Sequence, residues 1–152
     1  MSDRALRTTA FVLTILGIGI AGYLVYIHYA GIEPVCNIAH GCHKVQTSKY
    51  ADLAGVPVAL LGLIGYVTIL GALLVRGEAA RMVAALTALI GFGFSAYLTY
   101  RELFTIDAIC QWCVGSAILM TGLAIVCTWR LLAHVPAAPS AAAPAALTTD
   151  GA

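Results

Sequence analysis

The sequence predicts an all-α fold, an integral membrane four-helix bundle with an extracytoplasmic loop that bears cysteines. Three observations predict it. Of the 152 residues, 61% are hydrophobic and only 10% charged, whereas a soluble domain carries about 25% charged residues. Four stretches, 8–32, 53–75, 82–100 and 108–129, contain no Asp, Glu, Lys or Arg. Each is close to the roughly 20 residues that a helix needs to cross the hydrocarbon core. Backbone groups in lipid must hydrogen-bond within their own segment, so the four stretches are expected to be helices.

The expected spans are about 9–30, 55–76, 80–101 and 110–132, within a membrane domain of residues 1–134. The first apolar run exceeds the 7–15 residues of a cleaved signal's core, so it is expected to remain as an anchor. Residues 135–152 are mostly Ala, Pro, Ser and Thr with a single charge. That composition cannot build a packed core and predicts a disordered tail.

Basic residues set the orientation. With the N-terminus in the cytoplasm, Arg4, Arg7, Arg76, Arg81 and Arg130 lie inside, and Lys44, Lys49 and Arg101 lie outside. Arg76 and Arg81 crowd a short loop, where the rule holds best. The expected topology therefore has both termini cytoplasmic. The net charge of +1 carries no basic stripe and gives nucleic-acid binding no support.

Two connectors then face outward. Residues 31–52 carry Cys36 and Cys42 with His40, His43, Lys44, Lys49 and Asp52. Residues 101–107 lead into Cys110-Gln111-Trp112-Cys113 at the mouth of the fourth span. A weak repeat matches this plan. Tyr23-Leu24-Val25-Tyr26 precedes Cys36 and Tyr97-Leu98-Thr99-Tyr100 precedes Cys110, each cysteine standing ten residues after the second tyrosine.

Cys110 and Cys113 are spaced i, i+3, so both thiols face one side of a helix and can close a disulfide. Cys110 falls in the first turn, where unpaired N–H groups and the helix dipole favour the reactive thiolate. No His follows Cys113, which argues against c-type haem attachment. Cys36 and Cys42 flank a loop that can bring them together. The combination predicts a thiol–disulfide relay. A metal-binding alternative uses Cys36, His40, Cys42 and His43 as tetrahedral ligands, and an adaptor with incidental cysteines is a third reading. Cys127 lies fourteen residues beyond Cys113, about 21 Å down the helix, and is expected to pack rather than react.

The order of motifs resembles the vitamin K epoxide reductase family in its bacterial form, as a membrane domain without a fused thioredoxin-like domain. The matching residues are Cys36-x5-Cys42, Ser48-Lys49-Tyr50-Ala51, Gly55-Val56-Pro57, Gly62, Tyr66, Tyr97-Leu98-x-Tyr100 and Ala108-Ile109-Cys110-x-x-Cys113, over residues 10–130. A DsbB-type quinone-linked thiol oxidase has the reverse order of cysteine pairs.

The resemblance implies a four-helix bundle around a quinone (menaquinone or ubiquinone), capped by the loop with Cys36 and Cys42. It further implies that a separate extracytoplasmic thioredoxin-fold (DsbA-like) protein gives electrons to Cys36/Cys42. Cys110 and Cys113 then pass them to quinone, which sustains disulfide formation outside the cytoplasm. By the same resemblance Cys113 faces the quinone and Cys110 resolves it. Ser48 and Tyr66 are candidate donors to quinone oxygens, while Gly62 and Ser116 are candidate contacts. Trp112 either stacks on the head group or sits at the membrane interface. Vertebrate members hold the vitamin K head group with an Asn and a Tyr. Val58 and Ala117 stand at those positions, which implies quinone rather than epoxide reduction. The expected setting is the inner (cytoplasmic) membrane of a bacterium.

Overall fold

A computed structural model describes residues 3–36, 41–48, 50–53 and 55–134. His40, Lys49 and the expected tail at 135–152 lie outside the described residues. The protein is nearly all helical. Helix α1 runs over Asp3–Ala30, α2 over Cys42–Gln46, α3 over Val58–Leu74, α4 over Glu78–Arg101 and α5 over Gln111–Leu132. A π-helical turn, Glu102–Ile106, prolongs α4. Strands β1 (Asp52–Leu53) and β2 (Val56–Pro57) form a small antiparallel hairpin before α3.

The four long helices make a ring, with α1 against α3 and α5, and α4 against α3 and α5. The core lies along its axis. It includes Ala10, Ala21, Tyr66, Ile69, Leu73, Ala84, Ala88, Met120 and Leu123. Gly17 lets α1 approach α3 closely, because a Cβ there would run into the Tyr66 ring. The outer faces carry large exposed apolar side chains such as Leu16, Ile64, Ile90, Ile118 and Ile125. In water these would be costly; against lipid they are the favourable surface.

Asp3–Ala30, Glu78–Ile106 and Gln111–Leu132 are long and apolar enough to cross a membrane. The second expected span is shorter than its uncharged run suggests. Only the 17 residues of α3 are helical, about 25 Å of rise. Its start is set by Pro57, whose fixed φ and missing N–H suit the position just before a helix. Its end is set by extended Val75 and by Gly77 at φ 142°, a conformation suited to glycine. The first helix begins at Asp3 rather than near residue 9, and the third continues past Arg101 into the π turn.

One end of the ring is tied by polar contacts. Arg130 Nε donates to Asp3 Oδ1 at 2.9 Å, joining α5 to α1, and Arg7 Nε donates to the Leu73 carbonyl at 3.0 Å. The cysteine pairs gather at the other end.

Candidate redox site

Asp107 closes the π turn in the left-handed region, φ 50°, which Asp tolerates better than most residues. The chain then extends to Cys110, which caps α5 with φ −100° and ψ 113°. This turn brings Cys110 against α2. Cys42, Val45, Ile106 and Cys110 form one buried cluster, with Cys36, Trp112 and Cys113 packed around it. All four cysteines singled out in the sequence therefore meet in one place. Cys127 does not; it is buried in the bundle core.

Cys36 and Cys42 are joined by a disulfide, with Cα atoms 6.4 Å apart. Cys110 and Cys113 are free thiols. The connector that holds the first pair was expected to be a loop, but Cys42 opens a short helix and is buried, leaving half-buried Cys36 as the more accessible sulfur. Thiolate ligation of a metal by Cys36 and Cys42 is incompatible with the disulfide form seen here. His43 lies instead 3.5 Å from Glu33 on the surface.

Two contacts fix how the connector docks. Gly41 presses on the irregular segment before Cys110: an added Cβ would stand 2.7 Å from Ile109 N and 2.8 Å from Ala108 Cβ. The Val35 peptide, next to Cys36, is held at both ends. Val35 N donates to Tyr23 Oη at 3.1 Å, while its carbonyl accepts from Trp112 Nε1 at 2.9 Å and Gln111 Nε2 at 3.3 Å. The Trp112 ring packs at 4.9 Å on Tyr23. Trp112 is thus a fastener between the C-x-x-C turn and the Cys36 segment, and it does not line the cavity described next.

Inside the ring, below the cluster, lies a cavity of about 450 Å³, within the range of roughly 300–1,000 Å³ usual for small-molecule sites. Its wall includes Cys113, Ser48, Gly62, Tyr66 and Ser116, all anticipated, together with Val58, Ala117, Gln46, Tyr50 and Glu102. Cys110 is packed behind Cys113. The wall is mainly apolar, which fits a flat lipid-soluble ring, and Val58 and Ala117 supply no side-chain donor to it. Tyr66 Oη donates to the Ser116 carbonyl at 2.9 Å and shares a 3.0 Å hydrogen bond with Ser116 Oγ. Ser48 Oγ donates to the Val45 carbonyl at 2.8 Å. These hydroxyls are therefore engaged within the protein.

Glu102 and Gln46 escaped the sequence reading. The Glu102 carboxylate accepts from the Cys110 backbone N–H at 3.3 Å, and Glu102 shares the cavity wall with Cys113. Gln46 Nε2 stands 4.0 Å from Cys113 Sγ as a donor. An acid just after a long apolar run, eight residues before a C-x-x-C, was the one available signal for Glu102. The Cys110 thiol, ahead of the first residue of α5, is lowered from 9.0 to about 7. The hydrogen bond from Cys113 is the main cause, and backbone N–H groups of Cys113 and Trp112 add to it against the opposing effect of burial. The helix start, expected from the sequence to favour the thiolate, is thus the smaller contributor.

The family model for the vitamin K epoxide reductase family matches residues 8–128. The chain belongs to the vitamin K epoxide reductase family. Membership makes it a membrane thiol oxidoreductase, consistent with three membrane-length helices and two cysteine pairs at one end of the bundle. The matched region takes in both pairs and every residue named on the cavity wall.

Proposed function

We propose that this reductase-family protein carries electrons from a thioredoxin-fold dithiol to a membrane quinone, and so sustains disulfide formation outside the cytoplasm. One observation carries the reading: Cys113 lies on the wall of an apolar cavity while Cys110 packs against Cys42 of the loop disulfide. The two ends of a relay are thereby in contact with different spaces. Quinone rather than epoxide is the substrate, because Val58 and Ala117 offer no head-group hydrogen bonds. The cysteine end faces the extracytoplasmic side of a bacterial inner membrane, with the arginine-rich end in the cytoplasm.

Cys36 is the more exposed sulfur of its pair and receives the partner's thiolate, with Cys42 leaving. The freed Cys42 thiolate attacks Cys110 in a Cys110–Cys113 disulfide, forming a Cys42–Cys110 disulfide and releasing the Cys113 thiolate. The partner's second thiol then displaces Cys36 and leaves the partner oxidised. The Cys36 thiolate attacks Cys42, re-forming the loop disulfide and releasing Cys110. Each exchange passes through a mixed disulfide. A quinone supplies the terminal oxidising power by taking up two electrons and two protons. The lowered Cys110 thiol suits it to close the Cys110–Cys113 bond as those electrons leave through Cys113.

The test is quinone reduction by the full chain in lipid nanodiscs, with dithiothreitol as donor and a short-chain ubiquinone as acceptor. Cys110→Ala and Cys113→Ala are expected to fall to background. Cys36→Ala is expected to keep most of the rate, because the small dithiol bypasses the loop pair. Equal loss in Cys36→Ala and Cys113→Ala would overturn the relay.

A further inference from the structure

Oxidation of Cys110 and Cys113 to a disulfide releases two protons, and Cys110 has no exposed surface through which to lose one directly to solvent. Among the described residues the buried polar or charged side chains are Thr14, Glu102 and Arg130. Thr14 donates to the Ala10 carbonyl within α1, and Arg130 is paired with Asp3 at the far end of the bundle. Glu102 is the one buried carboxyl at the cysteine end, only 4% exposed.

Its contacts are specific. The carboxylate accepts from the Cys110 N–H, and Glu102 borders the same cavity as Cys113. Among the described residues it forms no ion pair. The neighbouring Arg101 turns away, its guanidinium over the Tyr50 and Tyr97 rings at 5.0 and 5.2 Å. Glu102 also begins the π-helical turn, a distortion found often at functional sites.

We propose that Glu102 is a catalytic proton carrier, taking a proton from the Cys110/Cys113 dithiol and delivering it to a quinone oxygen at the cavity wall. The step balances. Two S–H bonds break and one S–S bond forms, two electrons pass to the quinone, and its two oxygens gain the two protons as O–H. The Glu102 carboxyl gains and loses one proton per turnover and ends unchanged. Delivery to quinone rests on the function proposed above; exchange with the dithiol rests on the Cys110 contact and on the wall that Glu102 shares with Cys113.

The experiment has two arms, both on the full chain in nanodiscs. The first is an infrared difference spectrum between oxidised and dithiothreitol-reduced protein, without quinone. Wild type is expected to show a carboxyl C=O band that moves in heavy water and is missing from Glu102→Gln. Absence of that band, or its persistence in the variant, overturns the proposal. The second arm is short-chain ubiquinone turnover. Glu102→Gln is expected to lose about 100-fold in kcat with little change in KM, and Glu102→Asp to recover part of it. An unchanged kcat in Glu102→Gln, or equal losses in Gln and Asp variants, overturns it. If wild type shows the band but reduces no quinone, delivery to quinone is overturned together with the proposed acceptor, while the carboxyl's exchange with the dithiol is upheld. Should Glu102→Gln fail to accumulate, the Asp variant's band decides: a band displaced from the wild-type position supports the assignment, and an unmoved band overturns it.

Discussion

Gly41 and Ile109 touch through their backbones: a methyl group on Gly41 would stand 2.7 Å from the Ile109 nitrogen and 2.9 Å from its carbonyl oxygen. Gly41 sits at φ −90°, a conformation any residue adopts, so its requirement is for space alone. The contact seats α2 against the segment that leads into Cys110.

Gly41→Ala is therefore expected to push Cys42 away from Cys110. Overpacking of this kind costs about 1–3 kcal/mol. Exchange between the two cysteine pairs, followed by rapid acid quench and alkylation, should slow at least about tenfold. Dithiothreitol-driven quinone reduction should hold. An unaltered exchange rate would mean that the loop meets Cys110 by another route.

Trp112→Phe keeps a ring against Tyr23 and removes the donor to the Val35 carbonyl. One hydrogen bond contributes about 1 kcal/mol, so amide exchange in the segment around Val35 should quicken about fivefold. The effect should be local, leaving exchange in α3 and α4 as in wild type. Unchanged protection at Val35 would show that Gln111 and Tyr23 hold the segment unaided.

Cys42→Ala should trap the thiol partner on Cys36 as a mixed disulfide, because the sulfur that resolves it is gone. Cys36→Ala should give no adduct. Non-reducing gels of cells making each variant with a tagged thioredoxin-fold protein report the difference. Cys127→Ala, far from the cluster, is expected to leave turnover intact and to cost stability only through lost packing.

Thiolate absorbance in the ultraviolet should resolve Cys110, using Cys110→Ala as the blank. The thiolate is the deprotonated form, so absorbance rises with pH, with a midpoint near the value of about 7. In Cys113→Ala the main hydrogen bond to that thiolate is lost. Its midpoint is expected to move up, toward 9.0. A midpoint that stays put would place the cause in the helix N-terminus instead.

The helices and the redox pairs were legible in the sequence because their signals are local. Apolar length announces a span, and the i, i+3 spacing at a helix start announces the reactive turn. Ser48, Gly62, Tyr66 and Ser116, expected as quinone contacts, all lie on the cavity wall. The dipeptide Gln111-Trp112 was not understood, since its partner Val35 lies more than seventy residues earlier. Glu102 was missed because its position depends on a π turn that no periodicity reveals. The five residues of α2 are too few to show a helical pattern, so the connector read as loop. The uncharged run at 53–75 hid a hairpin, because strands of two residues leave no alternation to detect.

The Arg130–Asp3 link has a consequence for how the protein is made. It joins α1 to α5, which follows it in the chain, and α5 also supplies Cys110 at its cap and Cys113 on the cavity wall. Until α5 enters the bilayer, Asp3 lacks its arginine and the ring has a missing side. The cavity wall and the Cys110/Cys113 pair are thus completed by the same helix. Nascent chains stalled after α4 hold an oxidisable loop but no route for its electrons.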